Sequence, residues 1–110
     1  MIKTMTTKVE MMEKYTAQLE DLKVSVDEGV LEMATDACGP ANYNADGQYV
    51  AASDPEEVKR VYTNFVADEL AETDEEKGMA AIKDVLEQMS DINRKYRAVV
   101  YYLLAKKYGK

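Results

Sequence analysis

Basic side chains are concentrated in the last nineteen residues of the chain, Ile92 to Lys110, which contain no acidic residue. The six cations are Arg94, Lys95, Arg97, Lys106, Lys107 and Lys110. The first three are predicted in the opening turn of a helix, where the helix dipole disfavours positive charge. They therefore need anionic neighbours. The chain's own carboxylates are one source, and an external anion such as a phosphate or an acidic partner is the other.

Tyrosines accompany these cations at helical spacing. At about 100° per residue, Arg94, Arg97, Tyr101 and Tyr108 lie on one stripe of the predicted terminal helix. The apolar arc on its other side consists of Tyr96, Val99, Val100, Leu103 and Leu104. Tyrosine and arginine are over-represented among the residues that dominate binding energy at interfaces. An exposed stripe would thus favour a protein partner or a second copy of the chain, but the spacing leaves open whether the stripe is interface or core.

A second candidate region is the non-helical loop at 39–53, which is long for a connection inside a compact domain. Its candidate residues are Asn42, Tyr43, Asn44, Asp46 and Tyr49. The Asp46-Gly47 turn signal predicts a small hairpin that pairs Tyr43 with Tyr49-Val50. The tyrosines either anchor the loop to the helices or help to form a small-anion or metabolite site. We expect such a site where the loop meets the first turn of the terminal helix.

The same loop matches half of a calcium-binding pattern, with Asn42, Asn44 and Asp46 at the spacing of alternate ligands. An amide occupies the first position, which requires a carboxylate, and Ser53 occupies the last, which requires a bidentate glutamate. We therefore expect no metal site, and we interpret these residues as turn formers.

Catalytic and cofactor sites of the common kinds are not expected. The chain has no histidine and one cysteine, Cys38, so it lacks the pairs that activate nucleophiles and the usual zinc ligands. It also lacks a glycine-rich phosphate loop. The sequence therefore predicts a non-catalytic protein with no cofactor.

Length and charge narrow the class further. At 110 residues, the chain fits one domain spanning 1–110. The net charge of −7 makes nucleic acid an unlikely partner and argues against binding to an anionic membrane. No apolar run is long enough to span a bilayer. The absence of a signal-peptide pattern and of a cysteine pair favours the cytoplasm.

Apolar periodicity and capping residues predict an all-α bundle of about five helices. The first runs from about Thr6 to Lys23, with Met5, Val9, Met12, Leu19 and Leu22 on its apolar face. Asp27 caps the second, which ends at Cys38. Asp54 caps the third, with Glu57 completing a capping box, and its apolar face is Val58, Val61, Tyr62, Phe65 and Val66. Thr73 caps the fourth, whose apolar face is Met79, Ile82, Val85, Leu86 and Met89. After a break at Ser90 to Asn93, the fifth runs to about Tyr108 and forms the central helix of the bundle.

Three segments resemble a family of small bacterial proteins, the domain of unknown function 2853. They are the ending KYRAVVYYLLAKKYGK, the segment GPANYN and the helix start SDPEEV. The resemblance covers nearly the whole chain and implies a compact, mostly helical, cytoplasmic protein. It implies no activity, cofactor or catalytic residue. The preferred hypothesis is thus a module that binds proteins or itself, and the alternative is a domain that binds small anions or metabolites.

Overall fold

The computed structural model describes residues 7–110 and confirms the predicted all-α class. Within these residues the five α-helices are α1 Lys8–Asp21, α2 Glu28–Cys38, α3 Pro55–Val61, α4 Glu75–Gln88 and α5 Arg97–Lys107. A 3-10 turn at Gly39–Tyr43 follows α2, and a π-helical turn at Tyr62–Ala67 continues α3. Strands β1 Tyr49–Val50 and β2 Lys95–Tyr96 form a two-stranded sheet. None of the helices within 7–110 combines the length and apolarity that a bilayer crossing requires.

Aspartate side chains cap the starts of three helices, each by accepting a hydrogen bond from a backbone N–H of the first turn. Asp27 and Asp54 do so as predicted. The cap of α4 is Asp74, so the predicted cap at Thr73 is wrong by one residue. Glu57 does not complete a capping box at α3. Its buried carboxylate instead pairs with Arg60 and Arg97.

The buried face of α1 agrees only in part with the predicted one. Leu19 is buried, and Met12 and Leu22 pack against the core, as predicted. Met11 and Tyr15 are buried, whereas Val9 is 66% exposed. The face turns toward Tyr15 because its hydroxyl hydrogen-bonds within the core, a contact that apolar periodicity does not register. The predicted helix start at Thr6 and the face residue Met5 lie outside the described residues.

Helix α5 is the centre of the bundle, as predicted, and all residues from Ala98 to Ala105 are buried. Helices α1, α2 and α4 pack against it. Cations at its C-terminal end lie near carboxylates of earlier helices, with Lys106 Nζ 3.8 Å from Asp27 Oδ2 and Lys107 Nζ 3.5 Å from Asp84 Oδ2. The acidic body of the protein therefore supplies counterions to this end of α5.

Helix α4 approaches the π-helical turn closely at Gly78. The predicted apolar face of this region is buried at Val61, Tyr62, Phe65 and Val66. A Cβ atom added to Gly78 would lie 2.4 Å from Cε1 of Tyr62, which is too close for any real contact. Glycine at this position thus allows the two helical segments to pack side by side.

The sheet joins the long loop to the segment before α5. Strand β1 pairs antiparallel with β2, placing Tyr49 opposite Tyr96 and Val50 opposite Lys95. The predicted hairpin between Tyr43 and Tyr49 is wrong, because Tyr43 ends the 3-10 turn and does not pair with β1. The partner of β1 comes instead from a segment more than forty residues away, which local turn signals cannot identify.

Candidate functional site

Arg94 lies in a bend and Lys95 in a strand, so neither is part of a helical turn. Helix α5 begins at Arg97, and the two preceding residues, Lys95 and Tyr96, form β2. Because side chains alternate across a strand, Lys95 and Tyr96 point to opposite sides. The predicted placement of Arg94 and Lys95 in the first turn of α5 is therefore wrong, and the side chains of Lys95 and Tyr96 face different surroundings.

Arg97 is committed to contacts within the protein. Its guanidinium donates to the carbonyl oxygens of Gly47, at 2.8 Å, and of Tyr49, at 3.2 Å, and it forms an ion pair with Glu57. Burial by itself would lower the pKa of Arg97, but the adjacent Glu57 carboxylate outweighs this effect and the pKa is raised. Arg97 thus receives its counterion from α3, as the intramolecular alternative predicts, and it fastens the loop to the bundle.

Arg94 is exposed, and its guanidinium lies 5.6 Å from the centre of the Tyr49 ring. Within residues 7–110, no carboxylate forms a salt bridge with it. The Tyr49 ring in turn stacks on Tyr96, with the ring centres 5.1 Å apart. Arg94 therefore covers an aromatic pair at the junction of loop and bundle, on the side of β2 away from Lys95.

The predicted stripe of α5 belongs mainly to the core. Tyr101 is 3% exposed and stacks on Phe65, with ring centres 4.1 Å apart. Tyr108 is half-buried, and its hydroxyl donates to Glu72 Oε1 at 2.9 Å. Burial and this hydrogen bond raise the pKa of Tyr108 to about 12. Helical spacing left open whether the stripe is interface or core, and Tyr101 is a core residue of the monomer.

The loop residues singled out from the sequence mostly hold the loop in place. Asn42 is buried, and its side chain accepts from the Tyr15 hydroxyl at 2.6 Å and donates to the Thr35 carbonyl at 2.8 Å. Asn44 Oδ1 accepts from the backbone N–H groups of Asp46 and Gly47, which forms an Asx turn. Tyr43 is the exception, being 51% exposed. In the part of the chain described, no group of three potential metal-ligating side chains occurs.

A surface groove of about 770 Å³ lies on the other side of β2, between α3 and α4. Its apolar walls are formed by Pro55, Val58, Met79 and Leu86. The remaining lining comes from Ala52, Ser53, Ala80, Lys83, Glu87, Ser90 and Lys95. Pockets that enclose small molecules have volumes of about 300–1,000 Å³ and mostly apolar linings with few polar groups. The groove has a volume within this range and a mostly apolar lining, and it is open to solvent.

Lys95 is a largely buried lysine that lines this groove. The residue is 9% exposed, and its ammonium donates one hydrogen bond, to the Ile92 carbonyl oxygen at 2.5 Å. No carboxylate among residues 7–110 pairs with it. A buried charge is costly unless an opposite charge compensates it. An ammonium group in this setting favours an anion that enters the groove.

The groove itself was not predicted, although Lys95 and the loop end beside it were among the candidates. Val58, Met79 and Leu86 fit a helical period and were assigned to buried faces, yet all three are only half-buried. Periodicity does not distinguish a half-buried position from a core position, so no signal in the sequence located the groove.

Comparisons with known proteins agree with the resemblance drawn from the sequence. A family model described as "Protein of unknown function (DUF2853)" matches residues 14–110. The match includes the long loop, both groove-forming helices and Lys95. A comparison with curated proteins gives no match.

Proposed function

The chain belongs to the DUF2853 family, and we propose that it is a non-catalytic domain that binds a small anionic ligand in the groove between α3 and α4. The observation that carries the proposal is Lys95, a largely buried lysine that lines the groove and has no carboxylate partner among residues 7–110. The chemistry agrees with the alternative drawn from the sequence. The location is displaced from the first turn of α5 to β2 and the loop end at Ser53.

Charge and rigidity support a binding role for Lys95. Its backbone is held in the sheet, where Lys95 pairs with Val50. The next residue is Tyr96, whose ring packs on Tyr15 and Tyr49. A cation fixed before the ligand arrives loses little conformational entropy on binding. The groove therefore presents a preorganised positive charge inside an apolar surface.

Titration with small anions tests this function. We would record amide spectra of the ¹⁵N-labelled protein during additions of inorganic phosphate, succinate and hexanoate. At least one of these probes is expected to shift signals of Ser53, Val58 and Lys95. The substitution Lys95→Met should weaken that binding by about 10-fold or more, because a charge-assisted hydrogen bond contributes about 1.5–3 kcal/mol.

The control for this titration is Lys14→Met, which removes one charge from an exposed position of α1 and should leave binding unchanged. If none of the three probes shifted the groove signals at millimolar concentration, the proposed function would be wrong. Equal binding by the Lys95→Met protein would also exclude it.

A protein partner or a second copy of the chain is the second candidate. The observation that favours it is exposed Arg94 over the half-buried ring of Tyr49, since arginine and tyrosine are frequent interface anchors. An acidic segment on the partner would complement the charge of Arg94. For a second copy, the mass measured by light scattering should rise with protein concentration and should no longer do so in Arg94→Ala. A mass that stays monomeric at all concentrations would remove the self-association form.

We also propose a cytoplasmic location, on the ground that the sole cysteine, Cys38, is free and buried. Cell fractionation with an antibody to the protein tests this, and recovery with the secreted or membrane fraction would contradict it.

A further inference from the structure

We propose that the groove selects monocarboxylic acids with an apolar alkyl or aryl body, binding the carboxylate at Lys95 and the body along Val58, Met79 and Leu86. This inference rests on the proposed function and narrows it to a ligand class. It also excludes phosphate metabolites and dicarboxylates as preferred ligands.

The apolar walls set the first requirement on the ligand. Pro55 and Val58 come from the start of α3, and Met79 and Leu86 lie two turns apart on α4. Val58, Met79 and Leu86 are half-buried, so each has apolar surface left for a ligand to cover. Methionine adapts its shape readily to different apolar groups. A ligand that covers these side chains gains free energy in proportion to its own apolar area.

The distribution of charge sets the second requirement, a single anionic group. Lys95 is the one buried cation among the described residues that line the groove. The two other charged lining residues, Lys83 and Glu87, are exposed and opposite in sign. A second anionic group placed in the groove would therefore find only the exposed, solvent-screened Lys83 as a counterion.

The ammonium group of Lys95 suits a carboxylate. It has three N–H donors, and one of them goes to the carbonyl oxygen of Ile92. Two donors are left for the two oxygens of one carboxylate. Because the lysine is 9% exposed, only a narrow group reaches it. A terminal carboxylate on a slender alkyl chain meets this condition, whereas a folded protein surface does not.

The selectivity is tested with straight-chain acids from hexanoate to decanoate and with the alcohols of equal length, using calorimetry below micelle-forming concentrations. Each added methylene should tighten the Kd of the wild-type protein about two- to fourfold, as burial of about 0.8 kcal/mol per methylene implies at its upper end. Each acid should bind about 10- to 100-fold more tightly than its alcohol. Suberate, a dicarboxylate of the length of octanoate, should bind at least about 10-fold more weakly than octanoate.

Variants separate the contribution of the ligand's carboxylate from that of its apolar body. In Lys95→Met, the preference for acid over alcohol should vanish while the gain per methylene persists. Lys95→Gln serves the same purpose if Lys95→Met does not fold. The matched control Lys14→Met should retain both properties. Amide signals should locate octanoate at Val58 and Leu86 in the wild-type protein.

Three results would overturn this assignment. The first is an absence of any gain per methylene, and the second is suberate or phosphate binding as tightly as octanoate. Either result, with binding that still depends on Lys95, would leave the proposed anion site standing and refute only the ligand class. The third is binding of an apolar peptide through its C-terminal carboxylate in place of the acids. If the wild-type protein bound none of these anions, the proposed function itself would be refuted.

Discussion

At the residue scale, the contact between Arg97 and Glu57 connects three parts of the molecule. The two side chains are 13% and 10% exposed, and Arg60 also donates to the Glu57 carboxylate. Arg97 in addition binds two carbonyl oxygens of the loop. Removing one member of a buried pair leaves an uncompensated charge in the interior, which is the main energetic cost of such a change.

We therefore expect Arg97→Met to lower the free energy of unfolding by about 3–5 kcal/mol, because the loop carbonyls lose their donor and Glu57 keeps only the exposed Arg60 as a partner. Glu57→Gln should cost a similar amount, because it leaves the buried guanidinium of Arg97 without a carboxylate. Urea denaturation followed by circular dichroism measures both. The matched control is Lys106→Met, which removes a partly exposed cation 3.8 Å from a carboxylate and should cost about 1 kcal/mol or less. An Arg97→Met protein as stable as the control would contradict this role.

At the element scale, one glycine determines how α4 packs against the π-helical turn. By helix propensity alone, Gly78 destabilises α4. In the structure glycine is required at this position, because the ring of Tyr62 occupies the space that a Cβ atom would need. Tyr62 is itself buried, and its hydroxyl donates to the Glu72 carbonyl oxygen at 3.1 Å. The ring therefore has little freedom to move aside.

The substitution Gly78→Ala should destabilise the protein by about 1–3 kcal/mol through overpacking, despite its better helix propensity. Gly29→Ala in α2 is the matched control, since its added Cβ would meet only Asp27 Oδ1, at 3.5 Å. That change should stabilise the protein by about 0.4–1 kcal/mol. Thermal unfolding of both variants gives the comparison. Stabilisation by both substitutions would show that propensity, and not packing, controls this interface.

At the scale of the whole molecule, burial of tyrosines and of the cysteine links stability to alkaline pH. Burial raises the pKa of Cys38 from its ordinary value of 9.0 to about 12, with Arg97 opposing the shift. Burial also raises the pKa of Tyr15, and burial with the Glu72 contact raises that of Tyr108. The folded state thus holds these protons at pH values where the unfolded chain has lost them. The stability this contributes is complete below the ordinary pKa values and is lost as pH rises toward the folded ones.

Urea midpoints should accordingly fall as pH rises from about 9 to about 12, with Cys38 contributing up to about 1.4 kcal/mol per pH unit. Cys38→Ala removes that titration and should make the decline shallower in this range. Near neutral pH, where the thiol is protonated in both states, the substitution should leave the pH dependence unchanged. A decline of equal steepness in both proteins would show that the thiol is not responsible.

Local sequence signals predicted much of the bundle. The caps at Asp27 and Asp54 follow from contacts within a few residues, and the buried run of α5 follows from its unbroken apolar stretch, so both are visible in the sequence. Part of the face of α1 was mispredicted because Tyr15 is held by a hydrogen bond to Asn42 that joins separate elements. Errors arose where a distant partner overrode a local pattern.

The sequence by itself determined the helical class, the central position of α5 and the need of its cations for anionic neighbours. Only the tertiary structure decided which cations obtain them. Arg97 meets Glu57 across forty positions of the chain, while Lys95 turns to the opposite side of β2 and lines the groove without such a partner among the described residues. The physical reason is that strand alternation and helix packing direct neighbouring residues to different surroundings, which depend on segments far away in the chain.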